Sequence, residues 1–180
     1  MARNDIRCVR QTEDGLTAYG LNWALMGAQT FEEGEVVAVG AGGYVGEAAT
    51  DPPLVTGISA ASSLGMSANG EIGHLSVAGA NTTPRPVGTW IQVYKPVQGQ
   101  YFACSNLSED GTGTTLITPL QEHVGDTIGF TLNGGVWGVD RTCANIHAEI
   151  VAVIDSHANF LSDINREITA GVSVVFGFLT

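Results

Sequence analysis

Short runs of β-branched and aromatic residues, broken by turns that carry Gly, Asn or Pro, recur along this chain roughly every 8–12 residues. That is the rhythm of a small antiparallel β fold. Val36-Val37-Ala38-Val39 meets Gly40-Ala41-Gly42-Gly43 and returns through Tyr44-Val45-Gly46-Glu47-Ala48, which reads as a hairpin. Asp51-Pro52-Pro53 then blocks any helix. Val55–Ala60 is a short strand. Thr89–Lys95 alternates aromatic and β-branched residues, and Pro96-Val97-Gln98-Gly99 turns it into Gln100–Cys104. Thr127–Leu132, Asn133-Gly134-Gly135 and Val136–Val139 form the clearest hairpin, because Asn-Gly is a favoured tight-turn dipeptide. Val172–Leu179 is a final strand. Composition agrees: 24 of 180 residues are Gly, valine outnumbers leucine, and only 14% are charged. The expectation is an all-β fold, a small Gly-rich β-barrel or sandwich.

Other stretches are less regular. Residues 16–25 place their apolar positions without a period, so strand and loop stay open. Residues 61–70 and 80–86 read as loops, with an alternating segment at 71–78 between them. Ile146, Ile150, Val153, His157, Leu161, Ile164 and Ile168 sit at helical spacing, yet Ile146 to Ile154 also alternates as a strand does. The expectation is a strand near 146–154 and a short helix within 158–168. The chain divides into an N-terminal arm and first strand region at 1–30 and a β-rich domain at 31–180.

Charge excludes some functions. The net charge is −11, and a body this acidic repels phosphate backbones, so nucleic acid is not an expected partner. No apolar run approaches the ~20 residues that span a bilayer. Met1–Arg7 has no apolar core of a secretory leader, and Cys8, Cys104 and Cys143 are odd in number without metal-binding spacing. Free thiols in a reducing compartment fit best. Three of the seven basic residues, Arg3, Arg7 and Arg10, fall in the first ten positions, leaving residues 11–180 at net −13. Such an arm is either a tether to an acidic neighbour or a solvated, frayed end.

The catalytic and cofactor signatures fail on spacing. From Gly40 and Gly42 a dinucleotide loop requires Gly at 45, where Val45 stands, and Pro52-Pro53 leaves no room for the helix that would follow. His147-Ala148-Glu149 has the HxE of zinc deaminases, but no Cys follows residue 143 to complete the ligand set. Asp155-Ser156-His157 holds the three residue types of a hydrolytic triad as neighbours, which cannot stack into a relay. Glu109-Asp110-Gly111-Thr112-Gly113 lacks the ligand spacing of a calcium loop. No enzyme, metal or cofactor is expected.

Several segments together resemble the head decoration, or capsid cement, proteins of tailed bacteriophages. They are FEEGEVVAV at 31–39, YVGEAATDPPLVTGISAAS at 44–62, TWIQVYKPVQGQYFAC at 89–104, HVGDTIGFTLNGGVWGVD at 123–140 and VSVVFGFL at 172–179. The resemblance covers most of 31–180. It implies a non-enzymatic virion protein, assembled in the host cytoplasm and placed on the outer capsid surface. It implies a homotrimer that bridges neighbouring major capsid protein subunits, with 31–180 as the capsid-binding domain and no catalytic residues. Arg3, Arg7 and Arg10 are the candidate contacts of the arm. The rival expectation is a carbohydrate- or receptor-binding β-module of a phage fibre or tail. In that case Trp90, Tyr94, Tyr101 and Trp137 would form a stacking platform, with Trp90 and Tyr94 on one strand face by alternation.

Overall fold

The computed structural model describes residues 6–10, 23–25, 27, 29–64, 84–97, 99–154 and 172–179. The alternating segment at 71–78, the helix expected within 158–168 and Arg3 lie outside these residues. The fold is all-β. Its strands are β1 (Arg7–Arg10), β2 (Trp23–Ala24), β3 (Val36–Val39), β4 (Val45–Glu47), β5 (Gly57–Ser59), β6 (Trp90–Ile91) and β7 (Val93–Tyr94), followed by β8 (Tyr101–Cys104), β9 (Leu107–Ser108), β10 (Leu116–Ile117), β11 (Thr127–Asn133), β12 (Val136–Asp140), β13 (Ala148–Ile154) and β14 (Ser173–Phe178). Helical geometry among the described residues is confined to two 3-10 turns, Ala41–Gly43 and Gln121–His123. No helix among them is long and apolar enough to cross a membrane.

The strands belong to two compact units that alternate along the chain. One unit holds β2 to β7. Its four-stranded sheet runs β4-β3-β5-β7, and β2 pairs with β6. The Gly40–Gly43 segment is a hairpin turn, with Val39 opposite Val45. Leu25, Phe31, Val37, Val45, Ile91 and Val93 form the buried core of this unit.

The other unit holds β1, the stretch Ala49–Pro53 and β8 to β14. Its eight strands run β1-β8-β14-β13-β11-β12-β9-β10. The ladder is open, with β1 and β10 at its ends, so the structure takes the sandwich side of the expectation and closes no barrel. β11 changes partners along its length. Thr127 and Ile128 pair with β13, and Gly129–Asn133 pair with β12. The β11–β12 turn has Gly134 and Gly135 as its two central residues, both at positive φ (60° and 81°). That is the geometry a two-residue hairpin needs and that a side chain resists. Phe102, Phe130, Phe176 and Phe178 fill the core of this unit. Ring centroids lie 5.7–5.8 Å apart for Phe102–Phe176, Phe102–Phe178, Phe130–Phe176 and Phe130–Phe178.

Two expectations are corrected. The segment around Pro96-Val97-Gln98-Gly99 closes no hairpin: β7 pairs with β5, while β8 pairs with β1 and β14. The strand expected at Thr89–Lys95 is also broken at Gln92. Its carbonyl accepts from Ala60 N at 3.0 Å, and the halves on either side join different sheets. The strand expected near 146–154 is present as β13, with a register shift between Ile150 and Ala152. The final strand is present as β14.

Candidate functional site

Two aspartates organise one end of the eight-stranded unit. β9 and β12 run parallel, which sets Ser108 beside Asp140. Asp140 is fully buried. Its Oδ2 accepts from Ser108 Oγ at 2.7 Å, Asp110 N at 3.1 Å and Gly111 N at 3.0 Å, and its Oδ1 accepts from Thr142 N at 2.7 Å and Thr142 Oγ1 at 2.9 Å. Burial alone would raise its pKa. The donors from Ser108, Thr142 and Gly111 outweigh that and hold it below the usual carboxylate value. Asp110 repeats the device one turn further out. Its Oδ1 accepts from Thr112 N at 2.9 Å and Gly113 N at 2.8 Å, and its Oδ2 from Thr114 Oγ1 and Thr115 N, both at 2.6 Å. The Thr114 hydroxyl is the largest cause of its lowered pKa. The loop is an Asx-type turn built on inward-facing amides. Among the described residues no group of three His, Cys, Asp or Glu side chains is placed to hold a metal ion.

The neighbouring ionisable groups also serve the loops. Arg141 meets Asp126 with Nε 2.7 Å from Oδ2, an ion pair without the alignment of a hydrogen bond, and reaches Glu109 at 3.6 Å. His123 is buried, and its Nδ1 accepts from Leu120 N at 3.0 Å. Burial first, and Arg141 second, push its pKa below 6.5. Asp51 adopts φ +46°, and Asn145 N donates to its Oδ1 at 3.0 Å. His147 Nε2 lies 2.6 Å from the Pro52 carbonyl oxygen, with its ring stacked on Phe130. His147 therefore holds the Ala49–Pro53 stretch. Cys143 is buried, and burial, then Asp140 and Asp51, push its pKa up to about 12, so the thiol is inert.

Beside the Asp110 loop lies an open cleft of about 320 Å³. It is lined by one face of the β9–β12 sheet region: Asn106 and Ser108, Leu116 of β10, Thr131 and Asn133 of β11, and Val136 and Gly138 of β12, with Gly113 coming from the loop. Every lining side chain is uncharged. Close packing requires glycine at 138 in the floor, since a Cβ there would lie 2.9 Å from the Asn106 carbonyl oxygen. Little in the sequence points to this cleft, because β9 and β10 are two residues each and β9 pairs with β12, some thirty residues away.

The residues singled out from sequence fall in both units. Arg7 is exposed on β1, and Arg10 lies on the same strand, so residues 7–10 are a paired strand and not a free arm. Trp90 is 65% exposed and Tyr94 is half-buried, both in the β2–β7 unit. Tyr101 is half-buried, with its ring passing over Gly177. Trp137 is fully buried and cannot stack on a ligand from solvent, which removes it from the proposed platform. No family model, no curated protein and no solved structure matches this chain.

Proposed function

We propose that this chain is a non-enzymatic structural protein of the outer surface of a tailed-bacteriophage head, a homotrimer that binds assembled major capsid protein and bridges its subunits. The sequence resemblance suggests the class. The observation that carries the reading is how the ionisable side chains are used. Asp51, Asp110, Asp140, His123 and His147 all hold loops of the eight-stranded unit, each through backbone groups. Loops fixed in this way suit a surface that must match a partner's shape without reorganising. The acidic balance keeps such a protein soluble at high copy number. The reading requires no cofactor and places the chain on the virion after assembly in the host cytoplasm.

A protein that binds the assembled shell and not its free subunits stabilises the shell by mass action. Heads carrying the chain should rupture at a higher temperature than heads stripped of it, and re-adding purified protein should restore the difference. Equal rupture temperatures in a light-scattering melt would overturn the proposal.

A further inference from the structure

We propose that the cleft on the β9–β12 face binds a neutral polyhydroxylated ring, a mono- or short oligosaccharide, a role separate from capsid attachment. The chemistry of the lining carries this. Asn106 Nδ2 donates to the Trp137 carbonyl at 3.3 Å, and Asn133 Nδ2 donates to the Gly113 carbonyl at 3.1 Å. Both amides are thereby fixed in orientation, and each keeps Oδ1 as an acceptor and a second N–H as a donor. Ser108 and Thr131 lie in the floor but are buried, with Ser108 Oγ giving its proton to Asp140, so the two amides are the polar groups a ligand can reach. Uncharged amides that both donate and accept suit a ligand whose hydroxyls do the same.

The remaining lining fits a sugar ring. Leu116 and Val136 offer aliphatic surface to its C–H faces. The volume sits at the lower end of the ~300–1,000 Å³ range of ligand sites, which suits one or two rings. Anions are disfavoured, because no lining residue is cationic and the Asp110 and Asp140 carboxylates anchor the adjoining loop. An extended peptide would need the β10 edge, which offers Leu116 and Ile117 before Pro119 removes a donor.

The test is a glycan array of neutral and acidic oligosaccharides probed with the full chain, followed by calorimetric titration of the best ligand. A neutral glycan should bind. Asn133→Ala should weaken it about tenfold, the value of roughly one well-made hydrogen bond. Val136→Phe, which narrows the cleft without removing a hydrogen bond, should weaken it similarly, with circular dichroism melts showing both variants folded. Trp90→Ala, in the other unit, should bind as the parent does. Three results would overturn the assignment: no neutral glycan bound, an acidic glycan preferred, or binding lost in Trp90→Ala and kept in both cleft variants. Because the readout involves no phage heads, its failure leaves the capsid reading standing, and the reverse holds too.

Discussion

Asp140 accepts five hydrogen bonds from two segments of chain, 108–111 and Thr142, so its substitution affects more than its own site. Asp140→Asn keeps the shape but turns one acceptor into a donor facing donors. A loss of about 1–3 kcal/mol in urea unfolding is expected. The pH dependence has two parts. His123 has a folded pKa below 6.5, so below pH 6.5 the unfolded chain takes up a proton that the folded chain refuses. Stability is therefore flat above 6.5 on this account and falls as pH drops towards the folded value. Arg141 reinforces the refusal, while Asp126, Glu122 and Glu109 oppose it. Asp110 and Asp140 both lie below 3.8, so their contribution is complete above that pH and is lost as pH falls through their folded values. Urea melts from pH 7 to about pH 2 should show the upper decline whole and the start of the lower. His123→Gln should abolish the upper one, and Asp140→Asn should reduce the lower.

Among the elements, β14 carries the greatest packing load. Phe176 and Phe178 share one of its faces and meet both Phe102 and Phe130. Phe176→Ala should cost about 3–5 kcal/mol, read as a lower denaturation midpoint at unchanged slope. This strand was legible in the sequence, as were β3, β4, β11, β12 and β13, because each is long enough for alternation to show or ends at a turn with its own chemistry. What was not legible was pairing. Period-2 alternation states which face a residue takes, but not which strand lies alongside, so β7 and β8 read as hairpin partners although they join different units. β9 and β10 are too short to alternate at all. The cleft depends on both of them, and for that reason no ligand site was read there from sequence. Trp137 leaves the platform for a related reason: alternation cannot reveal that it faces the core.

For the whole molecule, the charge distribution and the edge position of β1 make one joint prediction. β1 sits at one end of the eight-stranded ladder with Arg7 exposed, while residues 11–180 are at net −13. Under the capsid reading this edge meets an acidic neighbour. Arg7→Glu should then lower head occupancy at low salt, with the parent losing occupancy as salt rises. Deleting residues 2–10 is a poorer test, because it strips β8 of a partner strand. Light scattering of the purified chain should give the mass of a trimer, in solution or on release from heads, and a monomer in both would count against the capsid reading. The place of β14 has a consequence for biosynthesis. It lies between β8 and β13, at the heart of its sheet, yet it is the last strand described. While the ribosome works through residues 105–172, β8 waits with a bare edge, and β13 joins it once residue 154 is made, both open to pairing with other nascent chains. Completion of this sheet is thus a late, long-range event, and the slow step of its folding should be the docking of that strand.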